Sequence, residues 1–274
     1  MRSSLRTLPF LWGALVSAAL FVVVYFVFVR SYMGQVIDER AFAGADAWNG
    51  GVIDFANSFL DALPVASVVI GAVIAIIIVL IRRNWLVFGV AVGAAIGANV
   101  STQVLKYTIL SRPEKGVDVG LANSLPSGHT AVAASAALVV FLLASPRYRP
   151  LAAVVGSLFT IAAGASTLVE QWHRPSDVVA GMLVVAFWGC LAGVVLSWLR
   201  LPPAEPPVRS KLWALIWIGL LCFVGSVVSL LVTYFSAQSG SEHLLIAYAG
   251  GVAAIVASGF VLAALGNRLY RRLA

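Results

Sequence analysis

The sequence predicts an all-α protein, a multi-span transmembrane helix bundle, on three observations. The chain is 61% hydrophobic and only 11% charged, with a mean hydropathy of +0.98, far from the balance of a soluble domain. Its apolar runs reach about 20 residues, the length a helix needs to cross a bilayer. They lack the strict alternation of polar and apolar residues that marks a membrane β-barrel, so helices, which satisfy their own backbone, are the remaining way across.

Eight runs qualify as spans. The first, Leu8–Val29, follows Arg2 and Arg6 as a signal peptide would. It is long for such a peptide and no small-x-small cleavage site follows, so an uncleaved span is expected. The next segment, Arg30–Leu63, is acidic through Asp38, Glu39, Asp46, Asp54 and Asp61, and carries Trp48, Phe55 and Phe59. It reads either as a solvated stretch with a surface helix or as a lid over an outer site. Pro64–Ile81 is the second span and Trp85–Leu110 the third. The third shows a stripe of Gly89, Gly93 and Gly97, expected to permit close helix approach. A second stripe, Asn99, Thr102, Gln103 and Lys106, must face the bundle interior or water. His129–Ala144, Leu151–Glu170 and Val178–Leu199 follow, the last introduced by Pro175, which suits a first helical turn. Four prolines in Leu201–Lys211 forbid a helix and predict a stiff linker. Leu212–Phe235 and Leu244–Leu265, which hold no charged residue, complete the set. The expected organisation is a six-span core over 1–200, a Pro-rich cytoplasmic linker over 201–211, and an accessory two-span hairpin with a basic tail over 212–274.

Net charge is +7, but the membrane partitions it. With the N-terminus cytoplasmic, twelve of the eighteen Lys and Arg fall inside, which selects that orientation and leaves both termini cytoplasmic. Cations confined to short juxtamembrane turns argue against a nucleic-acid partner; membrane lipids are the expected surroundings. Cys190 and Cys222 lie in spans and form no Cys/His cluster. No disulfide framework, metal site or cofactor is therefore expected.

Three polar islands interrupt this apolar chain, all at outer ends of spans: Lys106–Pro113, Pro126–His129 and Ser166–Asp177. Ionisable groups are expensive in such surroundings and read as functional. Pro126-Ser127-Gly128-His129 opens a span. Ser127 suits an N-cap, Gly128 admits a ligand close to the backbone, and the free N–H groups of a helix start attract an anion. His129 at the rim is placed to donate a proton. Asp177, four residues after His173, can hold one ring nitrogen and leave the other free as a nucleophile toward phosphorus. Lys106 and Arg112 supply cations for phosphate oxygens.

The ordered set resembles the type 2 phosphatidic acid phosphatase (PAP2) superfamily, whose pattern is Lys-x6-Arg-Pro, Pro-Ser-Gly-His, then Ser-Arg-x5-His-x3-Asp. The second motif matches throughout, and the third matches at Ser166, His173 and Asp177. The resemblance covers about Trp85 to Leu199. It implies a metal-independent membrane lipid phosphatase, and the expected topology puts its active site on the extracytoplasmic face. His173 would form a phosphohistidine, Asp177 would orient it, and His129 would protonate the leaving group. Lys106, Arg112, Ser127 and Gly128 would hold the phosphate. The implied substrates are a polyprenyl diphosphate or monophosphate, phosphatidic acid, or phosphatidylglycerol phosphate.

Two departures stand out. Five residues separate Lys106 from Arg112 where the family has six. On an unbroken helix this turns the pair about 120° apart, so Pro113 is expected to end the helix early and let the Arg112 side chain return. Thr167 replaces the family's arginine, and the loss of one charged donor is worth roughly 2–4 kcal/mol of transition-state stabilisation. Arg174 is the expected compensation, with Lys115 a further supplement. Thr167 also motivates an alternative, a lipid-phosphate-binding or interaction protein with impaired catalysis.

Overall fold

Apolar runs of this length fold into helices because only an intrahelical ladder satisfies their backbone away from water. The computed structural model describes residues 2–45, 52–117, 123–199, 212–240, 242–271 and 273, and those residues contain helices and no strand. The helices are α1 (Arg2–Val24), α2 (Tyr32–Ala43), α3 (Val52–Arg82), α4 (Trp85–Val104), α5 (Gly128–Leu143), α6 (Arg149–Val169), α7 (Pro175–Leu199), α8 (Trp213–Gln238) and α9 (Leu244–Tyr270). One π-helical turn extends α1 over Tyr25–Val29 and another extends α4 over Leu105–Ile109. The expected Pro-rich linker lies outside the described residues.

Among the described residues, six helical stretches are long and apolar enough to cross a membrane. Of the eight expected spans, the fourth is the clearest exception: α5 has 16 residues, or about 24 Å at 1.5 Å per residue, against a hydrocarbon layer of about 30 Å. The second expected span lies in α3, whose described apolar part is Val69–Arg82.

The centre of the bundle is α7, which packs on α1, α4, α5 and α9. Its sequence is apolar all round, as suits a helix with neighbours on several sides, and Val178, Ala180, Met182, Leu183, Val184 and Val185 are all buried. Small residues set the closest approaches. A Cβ on Gly193 would stand 2.1 Å from the Phe10 ring, and one on Gly97 would stand 2.6 Å from the Trp188 ring. Only Gly97 of the α4 stripe makes such a contact. A Cβ on Gly89 or Gly93 would meet nothing within 4 Å, so the expected close packing along the whole stripe is corrected to one position.

Two further expectations change. The acidic helix is not a solvated surface element: α2 packs on α7, α8 and α9, and its Asp38 is 2% exposed. Of the other residues singled out in that segment, Asp46 and Trp48 lie outside the described residues. The hairpin is more than an appendage, because α9 packs on α2, α6 and α7 as well as α8. Ile255 is fully buried against Phe42, Leu168, Val178 and Met182. A Cβ on Gly251 would stand 2.6 Å from Pro175 Cγ, so Gly251→Leu is expected to pry α9 from the head of α7 and lower the melting temperature in detergent by several degrees. Unchanged unfolding would contradict that packing.

Candidate active site

The three polar islands meet at one end of the bundle, and two sets of hydrogen bonds join them. Ser127 N–H donates to the Asp177 carbonyl (2.9 Å), which ties the start of α5 to the head of α7. A Cβ on Gly181 would come within 2.9 Å of the Ser127 carbonyl, so the absence of a side chain there permits the approach. Asn123 Nδ2 donates to the carbonyls of Lys106 (3.0 Å), Leu125 (3.1 Å) and Leu110 (3.4 Å), which ties the end of α4 to the same place.

The first island leaves the helix as expected. After the π-helical turn, Leu110 is extended (φ −94°, ψ 144°), so the chain turns before reaching Arg112. Tyr25 Oη donates to the Ser111 carbonyl (3.0 Å), and Gln35 Nε2 donates to the Pro113 carbonyl (2.9 Å), fixing the loop from both sides. Arg112 is half-buried, and its Nη1 is a buried donor without a partner among the described residues. Burial, and then repulsion from Arg174, push its guanidinium below the usual arginine range, while Asp38, Asp177 and Glu39 oppose the shift. Lys106 is half-buried, with Nζ 5.4 Å from the Tyr107 ring centre. Lys115 is exposed.

In the second island Ser127 is fully buried and caps α5. Its Oγ accepts from Thr130 Oγ1 (3.0 Å) and Thr130 N–H (3.4 Å). With Ser127 N–H directed to Asp177, the Gly128 and His129 N–H groups are the first-turn donors that lack an intrahelical acceptor. Packing does not demand glycine at 128, since a Cβ there would meet only Gln103 Nε2, at an ordinary 3.6 Å. Gly128→Ala is therefore expected to fold at least as well as the native chain. It should nevertheless lower affinity for a phosphate ester roughly tenfold, because the methyl group occupies the space a ligand needs. Isothermal titration with orthovanadate, beside a melting curve, checks both halves.

The third island is built around Asp177, which is fully buried. Its Oδ2 accepts from Ser124 Oγ (2.6 Å) and Arg174 N–H (3.0 Å), and lies 3.4 Å from His173 Nδ1. Engaging Nδ1 leaves Nε2 as the unshared ring nitrogen. A tight reversal between α6 and α7 presents the ring. Gln171 takes a left-handed conformation (φ 55°), and the Thr167 carbonyl accepts from both Trp172 N–H (2.9 Å) and His173 N–H (3.1 Å). The His129 ring centre is 6.3 Å from that of His173 and 5.1 Å from that of Trp172.

The departures from the expected motif take definite places. Thr167 is fully buried and its hydroxyl donates to the Gly164 carbonyl (2.7 Å) within its own helix. Ser166 is half-buried, and its carbonyl accepts from Glu170 N–H (3.0 Å). Arg174 is 1% exposed. Its Nε donates to Glu39 Oε2 (3.0 Å), its Nη1 donates to Ser124 Oγ (3.3 Å), and its Cζ lies 5.3 Å from the Phe42 ring centre.

Sequence reasoning missed Ser124, Asn123 and the inward role of Asp38 and Glu39. Asn123 and Ser124 are adjacent polar residues just before the Pro-Ser-Gly-His motif, a signal that was available. The acidic pair on α2 gave no local signal, because its partners lie about 135 positions away. Asp38 Oδ1 accepts from Ser176 N–H (3.1 Å), and its Oδ2 accepts from Ser176 Oγ. Burial, with the Asp177 carboxylate adding to it, pushes the Asp38 carboxyl up to about 7. A carboxyl with a raised folded-state value binds its proton more tightly when folded, so it removes stability as pH rises from about 4 to about 7. Asp38→Asn is expected to melt higher than the native chain at pH 8 and nearly with it at pH 5. Parallel melting temperatures across that range would refute the buried carboxyl.

Comparison with known proteins agrees with this geometry. The PAP2 superfamily model matches residues 85–201, the segment running from the start of α4 past the end of α7. No curated protein and no solved structure matched the chain. All three islands, in their order, fall within the segment that is similar to the PAP2 superfamily.

Proposed function

We propose that the protein is a membrane lipid phosphatase that hydrolyses a phosphate monoester or diphosphate at the outer face of the bilayer through a phosphohistidine. The observation that carries this reading is the convergence of His173, held by Asp177, with His129 and an open helix start. The coarser parts, a PAP2-type membrane protein with multiple spans, rest on the family match and the long apolar helices.

The chemistry follows from the parts. The phosphoryl oxygens sit against the Gly128 and His129 N–H groups, the unpartnered Nη1 of Arg112, and Lys106. Ser127 shapes this seat as the cap of α5 and the bond to Asp177. His173 Nε2 attacks phosphorus as the bond to the leaving oxygen breaks, and His129 gives that oxygen a proton. Asp177 stabilises the positive charge that grows on His173. Water then attacks the phosphohistidine, His129 takes its proton, and His173 departs as the neutral ring.

The substrate class follows from where the site lies. The anion seat at the start of α5 is at the end of a bundle of long apolar helices, within reach of a headgroup whose chain stays in the bilayer. The excess of Lys and Arg at the opposite end favours an outward-facing site. A polyprenyl diphosphate or monophosphate, phosphatidic acid and phosphatidylglycerol phosphate all present such a headgroup. Thr167, which supplies no cation, favours a second reading: a protein that binds lipid phosphate without turning it over. Phosphate release in detergent with a metal chelator, measured on those lipids, separates the two. Release supports the enzyme, whereas saturable binding without release supports the alternative.

A further inference from the structure

We propose that Asp38 and Glu39 of α2 are positioning residues for the nucleophile, a pair of carboxylates that grips the Arg174–Ser176 corner and so sets the His173–Asp177 geometry. The proposal rests on the phosphatase reading and adds residues that lie outside the family region.

The contacts form a continuous chain. Glu39 holds the Arg174 guanidinium, which donates to Ser124, which donates to Asp177, which faces His173. Asp38 holds both the N–H and the hydroxyl of Ser176, the residue before Asp177. Gln171 Nε2 donates to the Phe42 carbonyl (3.3 Å), so α2 also grips the turn before His173. The same helix reaches the phosphate side, through Gln35 to Pro113. One short helix thus fixes both the cation loop and the nucleophile loop.

Solvation explains why such a costly arrangement has energetic influence. Asp38 borders an apolar cavity of about 550 Å³ between α1, α2, α7, α8 and α9, to which those helices present no other ionisable side chain. The charged groups that act on Asp38 are Asp177, which opposes its ionisation, and Arg112 and Arg174, which favour it. In so dry a setting, Asp38 and Asp177 share two arginines between them, and a change of charge on Asp38 is felt at the orienting carboxylate. Arg174 therefore acts from behind Asp177 through Ser124.

The test uses the full-length protein in detergent, with Asp38→Asn, Asp38→Ala and Glu39→Gln beside the native chain. Turnover is followed on phosphatidic acid micelles and on para-nitrophenyl phosphate from pH 5 to 9. Asp38→Ala and Glu39→Gln are expected to lower kcat roughly tenfold or more at constant folded fraction, with KM within about twofold. Asp38→Asn, which keeps an acceptor for Ser176 N–H, is expected to recover part of kcat and to flatten the pH profile near 7. A purely structural role would leave the pH profile unchanged and scale activity with folded protein. An activity-independent reading comes from ¹⁵N-histidine NMR, since the chain has only three histidines. The ring-nitrogen chemical shifts of His173 should move in Asp38→Ala and Glu39→Gln, as its contact with Asp177 changes, while those of His243 stay fixed. Native kcat, KM and His173 chemical shifts in all three variants would overturn the proposal. If the native protein releases no phosphate from either probe, the phosphatase reading fails, and the His173 chemical shifts alone decide the role of α2.

Discussion

His173→Ala is expected to abolish phosphate release, by at least about a thousandfold, while leaving the protein folded. On the proposed mechanism the loss is large because His173 supplies the nucleophile. His129 stands across the site with its ring centre 6.3 Å away, and Asp177 is fully buried behind. The structural penalty is small by comparison. His173 N–H, which holds the turn to the Thr167 carbonyl, survives the substitution, and the lost ring contacts are worth about 1 kcal/mol. Rapid acid-free quenching with a ³²P-labelled lipid phosphate supplies the decisive measurement. The native chain should carry label on a histidine; His173→Ala should carry none. His129→Ala should still become labelled from a substrate with a good leaving group, because such a group departs without a donated proton. Label retained by His173→Ala would move the nucleophile elsewhere.

Asp177 should produce the second-largest effect, and its two substitutions should differ in kind. Asp177→Asn keeps an oxygen for Ser124 Oγ and Arg174 N–H, so the fold should persist. It removes the charge that steadies His173 as it becomes cationic, and a loss of roughly 10³–10⁴ in kcat is expected, as for other carboxylate-oriented histidines. Asp177→Ala adds a structural fault. Ser124 Oγ and the Arg174 N–H lose their acceptor in a fully buried place, which costs about 1–3 kcal/mol for each group. Circular dichroism melts and single-turnover rates should therefore separate the two variants: similar rates, but a markedly lower melting temperature for alanine. Equal stability in both would mean that the Asp177 cluster does little to hold α5, α6 and α7 together.

The parts legible in the sequence are those with local signatures. Length and apolarity exposed the spans. The turn before Arg112 was legible because Pro113 disfavours helix in the residue before it. The cap at Ser127 and the His173–Asp177 pair follow from spacing within a turn or two. What escaped detection depends on contacts across the chain. Asp38 and Glu39 looked like solvated acids, since only the fold reveals Ser176 and Arg174 beside them. Arg174 was expected to stand in for the arginine that Thr167 replaces, whereas it is 1% exposed and its guanidinium donates to Glu39 and Ser124. The glycines of α4 failed in the opposite direction: a regular stripe suggested a packed face, yet only Gly97 meets a neighbour. Periodicity reports which residues share a side of a helix, and it carries no information about what stands opposite.

The seating of α9 against Pro175 and Leu168, and of α2 against Ser176, bears on how this chemistry could be transplanted. Residues 85–201 contain every motif residue, yet a graft of that stretch would arrive with Arg174 and Ser176 uncovered and an apolar flank of α6 and α7 bare. The boundaries of a recognisable motif set are therefore not the boundaries of a working module. A chimera that exchanges the core between two such proteins should carry α2 and α9 as cargo, or rebuild their contacts on the host.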